Sequence, residues 1–305
     1  MSVAHEPGVP ALATTTTLLE REREVEHFAG ILDSLAGGSG GGSVLVEATA
    51  GMGKTWLLQE FARIGGARGL RVAIARASPL ESHYAYGLVT QALEGLLGEL
   101  EPSRRDELFA GRAAWAAPLF PWATSRGAED LPPDDGYRVQ VGLYQVIVNL
   151  SRRCPVVLLA DDVHWSDEPS LRFLAFLSRR VVPVPAAVVL AARPEAEWAN
   201  PWLRSALLRD SPLRTMRPRA LTAAAVQQLL TATTGSAADP AFATACRRLT
   251  GGNPFYLSEL GRAVQERGVE PVAANAERLG ALDLEAVELS VRDRLDRLGA
   301  AARIL

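Results

Sequence analysis

Val44–Leu58, VLVEATAGMGKTWLL, is the stretch that decides the fold. The apolar residues Val44–Val46 predict a short buried strand, a run of small residues predicts a loop, and a helix opens at Lys54-Thr55. The loop Ala48-Thr49-Ala50-Gly51-Met52-Gly53-Lys54-Thr55 fits the phosphate-binding pattern at every position except the first, where Ala replaces Gly. Residues without bulk let successive backbone N–H groups curl around a polyphosphate, and the following helix points its positive dipole end at the same anion. Thr49, Ala50, Gly51, Met52, Gly53, Lys54, Thr55 and Trp56 are therefore the candidate phosphate-binding residues. In that pattern Lys54 reaches the β- and γ-phosphates, and the Thr55 hydroxyl ligates Mg²⁺. Lys54 is also the only lysine in the chain, every other basic side chain apart from four histidines being arginine. A compact ammonium has been kept at the one position where such a loop needs it.

Moving outward, residues 1–17 are rich in Ala, Thr and Pro without periodicity and predict a disordered tail. Glu20–Leu35 places Val25, Phe28, Ile31, Leu32 and Leu35 on one helical face. Gly37–Ser43, GGSGGGS, has the composition of a flexible linker and reads as a surface loop without function. After the phosphate-loop helix, Leu70–Ala77 predicts a second strand, and Tyr86–Leu100 and Arg138–Leu150 predict amphipathic helices. Residues 101–136, with exposed-looking Trp115 and Trp122, predict short helices and loops.

Val156–Ala160 is a continuous apolar run, as expected of a strand buried on both faces of a parallel sheet, and it ends in Asp161-Asp162. Two adjacent carboxylates cannot sit in a core unpaired. A solvated turn explains such a pair in isolation. Downstream of a phosphate loop the strand end faces the phosphates, where Mg²⁺ needs an oxygen ligand and water needs a base. Ala187–Ala192, ending in Arg193-Pro194, and the shorter Leu213–Met216 complete five strands. With intervening helices they predict an α/β fold, a parallel five-stranded sheet covered by helices on both faces. Beyond Arg219 the pattern is helical: Thr222 caps one helix, Asp239-Pro240 starts another and Asn253-Pro254 a third, while Leu284–Leu298 marks a fourth. The expected organisation is a core over 18–218, a helical lid over 219–280 and a further domain beginning at 281. The chain stops at Leu305 just after a new apolar stretch begins, which predicts a piece of something longer.

Composition bounds the function. The chain has 305 residues, 48% hydrophobic and 22% charged, with a net charge of −3. That is an ordinary globular composition with no electrostatic footprint for direct nucleic-acid binding. Cys154 and Cys246 form no metal-type spacing and read as reduced thiols. No apolar run is long enough to span a membrane and no signal-peptide layout is present, so the expected location is cytoplasmic.

LVEATAGMGKTWLLQEF, CPVVLLADDVHWSDEPSLRFLAFL, LAARPE and LTGGNPFYLSEL, in this order, resemble the ATPase region of the large ATP-binding regulators of the LuxR family. These are signal-transducing P-loop ATPases related to the AAA group, and the similarity runs from about Leu18 to the end. The resemblance implies ATP or ADP with Mg²⁺ as ligands and a slow ATP-hydrolysing switch in a transcriptional regulator. Leu18–Glu24 matches the motif near the adenine, keeping Arg21 and Glu24 but with Glu20 in place of Gly. By the same resemblance Asp161 holds Mg²⁺, Asp162 is the hydrolytic base, and Arg193 is the sensor aimed at the γ-phosphate from a strand lying between the other two. Gly252-Asn253-Pro254 matches the lid motif, placing Pro254 against the nucleotide, and Ala281–Leu305 begins a winged helix. DNA is then read by a C-terminal module absent from these residues, and self-association on ATP binding is a further implied partner. A nucleotide-holding module without hydrolysis and a P-loop kinase acting on an acceptor are the alternatives. His164 reads as an ordinary hydrogen-bonded histidine beside a packed Trp165, and Arg247-Arg248 as a solvated helix face.

Overall fold

Strand alternation builds the sheet. In β1 (Gly42–Glu47), Val44 and Val46 point to one face and Leu45 to the other, and all three are buried. β3 (Val156–Asp161) and β4 (Ala186–Ala192) are buried along their whole length, as strands covered on both faces must be. With β2 (Arg71–Arg76) and β5 (Arg214–Met216) they form one parallel sheet in the order β2-β3-β4-β1-β5. The computed structural model describes residues 18–38, 40–123, 136–198, 201–209, 213–277 and 279. The expected tail, the helix over 284–298 and the winged-helix start lie outside the described residues, as does 124–135 of the 101–136 segment.

One face is covered by α1 (Glu22–Ala36) and α2 (Lys54–Ala67), where Phe28 and Phe61 stack at 4.2 Å over Val44, Val46, Val157 and Val189. The other face carries α3 (Gly87–Gly98), α5 (Gly136–Ser151) and α6 (Glu168–Ser178), with Leu93, Val146 and Phe173 packed on Leu158, Val188 and Leu190. Asp167 caps α6 by accepting from Ser170 N at 2.8 Å and ties in the start of α3 by accepting from Tyr86 N at 2.8 Å. The segment after α3 forms α4 (Pro102–Leu108) and a 3-10 helix, Gly111–Leu119. The latter packs so tightly on α5 that a Cβ at Gly142 would lie 2.6 Å from Ala116 N. Trp115 is half-buried, and Trp122, 37% exposed, lies edge-on to Phe109.

From Gly40 on, the Gly-Ser stretch corrects the expectation of a surface loop. Gly41 N donates to Val182 O at 2.8 Å, and strand β1 already begins at Gly42. A Cβ at Gly40 would lie 2.0 Å from Val182 O, and one at Gly41 2.0 Å from Ala186 O. Glycine is required there because the chain enters the sheet against another backbone, which composition alone does not reveal.

After α7 (Pro201–Arg209) and β5, three helices form a separate apolar cluster built on Val226, Phe242, Cys246, Leu257 and Val264. They are α8 (Ala223–Thr234), α9 (Pro240–Thr250) and α10 (Pro254–Glu266). Each starts at the side-chain cap expected from sequence: Thr222, Asp239 and Asn253 accept from Ala225 N, Ala241 N and Phe255 N at 3.3, 2.7 and 3.0 Å. Such caps contribute about 1 kcal/mol each. Cys154 and Cys246 are both free thiols.

Candidate nucleotide-binding site

The loop between β1 and α2 has the backbone its sequence requires. Gly51 and Gly53 adopt φ of +79° and +85°, where side chains are strained. Ala48 does not, since the non-glycine residues with positive φ are Glu20, Tyr86 and Asp162 among the described residues. Ala48 N instead donates to Ala192 O at 3.1 Å, prolonging the β1–β4 ladder, so its methyl group is tolerated. The first turn of α2 leaves the N–H groups of Lys54, Thr55 and Trp56 without intrahelical acceptors, aimed past the glycine loop.

A cavity of about 410 Å³ opens between the sheet's carboxyl edge and the helical cluster. Its lining combines the loop from Ala50 to Trp56 with Arg21, Arg76, Asp162, Arg193 and Pro254. Of the residues expected at the site, Thr49 and Asp161 do not line it. Thr49 contributes its carbonyl oxygen to Lys54, and Asp161 lies beneath, 2% exposed.

Lys54, expected to reach the β- and γ-phosphates, turns onto its own loop. It is buried, and its Nζ donates to Ala48 O at 2.9 Å and Thr49 O at 3.1 Å, bracing its own loop. Burial holds its pKa below the usual lysine value, with Asp162 opposing and Arg193 reinforcing that shift. Thr55 Oγ1 donates to Asp161 Oδ2 at 2.6 Å, and Asp161 Oδ1 accepts from Asp162 N at 2.9 Å. Burial, reinforced by Asp162, pushes the Asp161 carboxyl above the ordinary carboxylate range.

The acidic pair diverges sharply in direction. Asp162 sits at φ +52°, and this left-handed turn swings its carboxylate toward Arg76 at the end of β2. Asp162 Oδ2 accepts from Arg76 Nε at 3.1 Å and Nη2 at 2.9 Å. Sequence reading missed Arg76. The available signal was its place as the last residue of the strand next to the acidic one. Arg193 extends from β4, between β1 and β3 as the resemblance implied, and donates to Glu197 Oε2 at 2.8 Å while its Nε has no partner among the described residues. His164 corrects the expectation of a hydrogen-bonded side chain. It is 2% exposed, neither ring nitrogen has a partner among the described residues, and burial lowers its pKa to about 4.

The cavity is held together by bonds from the helical cluster and the N-terminal segment. Asn253 Nδ2 donates to Ala50 O at 2.9 Å, and Phe255 N to Gly51 O at 3.2 Å. Arg21, 3% exposed, donates through Nη2 to Arg219 O at 2.9 Å and Met52 O at 3.4 Å. Glu20 occupies a left-handed conformation, φ +56°, which accounts for the Gly it replaces, and its carboxylate accepts from both Thr222 N and the Thr222 hydroxyl. Arg247 is exposed but not merely solvated, donating through Nε to Leu221 O at 3.0 Å; Arg248 is exposed on the helix surface.

A parallel sheet of this strand order, with a glycine loop after β1 and a carboxylate pair at the end of β3, is the P-loop nucleotide-binding architecture. The family model described as the AAA ATPase domain matches residues 17–191, more than half of the chain, and the chain belongs to that family. It is an AAA-type nucleotide-binding domain. An uncharacterized protein of Rhizobium meliloti (strain 1021) is 26% identical over 94% of this chain, which spans only 29% of that relative's length. Among solved structures, the Aeropyrum pernix ORC2 protein is similar with a TM-score of 0.49 at 13% identity, over 86% of this chain and 67% of that one. The Thermotoga maritima RuvB Holliday junction branch migration motor is similar with a TM-score of 0.46 at 12% identity, over 86% and 69%. Among the described residues no helix is long and apolar enough to cross a membrane.

The residues present fit a Mg-nucleotide. Backbone donors and an orphaned, buried Arg193 Nε face one cavity, and the oxygens of Thr55 and Asp161 lie together beside it. No cluster of three or more acidic, His or Cys ligands occurs among the described residues. Few protein oxygens suit Mg²⁺, which keeps waters and phosphate oxygens as its other ligands.

Proposed function

We propose that this chain is the ATP-binding and slow ATP-hydrolysing switch domain of a transcriptional regulator resembling the large ATP-binding regulators of the LuxR family. Its working parts are a core over 18–218, a lid over 219–280 and the start of a winged helix over 281–305. Ala50–Trp56 bind the phosphates with Thr49 bracing Lys54, Thr55 and Asp161 hold Mg²⁺, and Arg21 and Pro254 close on the nucleoside side. When bound, the metal neutralises charge on the phosphate oxygens. Asp162 accepts a hydrogen bond from the attacking water, and Arg193 stabilises charge growing on the transferring phosphoryl group.

The observation that carries this reading is the pair of hydrogen bonds from lid to loop, Asn253 Nδ2 to Ala50 O and Phe255 N to Gly51 O. A loop that holds phosphates and a lid that holds the loop are mechanically one device, so exchange of ADP for ATP resets the lid. Slow turnover follows from Asp162, whose carboxylate is engaged by Arg76 and must leave it to reach water. That same ion pair favours the alternative of nucleotide retention without hydrolysis. Product analysis separates the two: free phosphate accumulates under the first and ATP stays intact under the second. A phosphorylated acceptor would instead identify a kinase. DNA contacts belong, in this proposal, to a C-terminal module of a longer cytoplasmic protein, and ATP binding promotes self-association.

A further inference from the structure

The amino end of the sheet carries a second and larger cavity, about 730 Å³, at the opposite end of β2 and β3 from the phosphate loop. Arg71 opens β2, and Arg152 and Arg153 lie in the turn between α5 and β3. These three line it together with Arg104 of α4. Glu107 is the one carboxylate in the lining, and Arg104 and Arg153 share it at a loose 3.6 Å each. The guanidinium groups of Arg71 and Arg152 have no carboxylate partner among the described residues. Four cations around one cavity with a single anion repel one another, and an anionic guest relieves that repulsion.

The cavity is built rather than incidental. Asn149 Nδ2 donates to Leu108 O at 2.9 Å, tying α4 to α5, and Arg105 donates to Leu100 O at 2.8 Å and Gly98 O at 2.9 Å, tying α4 to the end of α3. Leu100, Leu108 and Leu150 supply an apolar side to the same space. We propose that this cavity binds a small molecule bearing two or more carboxylate or phosphate groups on an apolar frame. Guanidinium forks match both acid types, and the volume is that of a metabolite-sized ligand. Arg71 and Arg76 end the same strand, about 17 Å apart at 3.3 Å per residue, so the ligand and the nucleotide occupy different sites and bind together.

The test is calorimetric titration of the whole chain, its phosphate loop first filled with one equivalent of ADP, at low ionic strength, where charge contacts are least screened, with citrate and inorganic pyrophosphate in separate arms. The expected result is binding of one or both with Kd below about 1 mM. Arg71→Gln/Arg152→Gln should weaken it at least about tenfold, whereas leaving out the ADP should not change the citrate arm. The citrate arm reports a carboxylate preference and the pyrophosphate arm a phosphate one. Arg152 is exposed in a turn, so Arg152→Gln alone gives a folded comparison if the double variant does not fold. No binding of either probe up to about 10 mM, binding undiminished by Arg152→Gln, or citrate binding seen only when ADP is left out would overturn the proposal.

Discussion

Asn253 holds two structures at once: its Oδ1 accepts from Phe255 N at 3.0 Å to start α10, and its Nδ2 donates to Ala50 O at 2.9 Å in the phosphate loop. The two roles can be separated. Asn253→Asp keeps the capping oxygen and loses the donor, so chain stability in urea should be nearly unchanged while nucleotide dissociation quickens. Asn253→Ala should show the same faster release plus a stability loss of about 1 kcal/mol. Equal release rates for the parent and Asn253→Asp would mean that the lid does not hold the loop.

Asp162 and Arg76 make the second testable pair. Asp162→Asn removes charge while keeping shape, so Mg-ATP affinity should survive while turnover falls about ten- to a thousandfold. Arg76→Ala frees the carboxylate from its ion pair and should raise turnover severalfold. Steady-state phosphate release measures both. A loss in Arg76→Ala as large as in Asp162→Asn would show that the ion-paired arrangement is itself the active one.

Much of this was legible because it is local. The loop pattern, the apolar run ending in Asp161-Asp162 and the three capped helices each sit within a few residues of sequence, where spacing dictates geometry. What was not legible depends on approaches across long separations. Arg76 and Asp162 are 86 positions apart, and nothing local to either names the other. Gly40 and Gly41 look like a linker because composition cannot show the Val182 and Ala186 carbonyls against them. The burial of Lys54 arises from the loop folding back on its own side chain, so the pattern identified the residue but not its environment.

His164 should make stability pH-dependent. Burial lowers its pKa to about 4 in the folded chain, below its ordinary value of 6.5. The unfolded chain therefore binds the proton first as pH falls. Its contribution is fully present above about pH 6.5 and is lost progressively down to about pH 4, at most about 3 kcal/mol. Asp161, pushed upward by burial from an ordinary value of 3.8, acts in the opposite sense, its effect developing as pH falls from its raised value toward 3.8. Urea unfolding across pH 7 to 4 should show a shallower decline for His164→Phe than for the parent. Identical slopes would mean that the ring protonates without cost in the fold.

Ala48 and Gly51 give opposite expectations within one loop. Ala48→Gly relieves no backbone strain, so nucleotide affinity should change less than about tenfold. Gly51→Ala adds a Cβ at φ +79° that would lie 2.6 Å from Asn253 Oδ1. Affinity should fall by at least about a hundredfold, roughly 2.7 kcal/mol. Calorimetry with ADP compares the two, and a gain of a hundredfold for Ala48→Gly would mark Ala48 as a weakening of the site.

The most direct test of the nucleotide site is calorimetric titration of Mg-ATP into the parent chain and into Lys54→Ala, with thermal unfolding followed in parallel. The parent should bind one Mg-ATP. Removal of an ammonium that braces the loop and, in the proposed site, meets phosphate should cost at least about 1.5–3 kcal/mol of binding, with the fold retained. An unchanged affinity in a folded Lys54→Ala would contradict the assignment of this cavity to nucleotide.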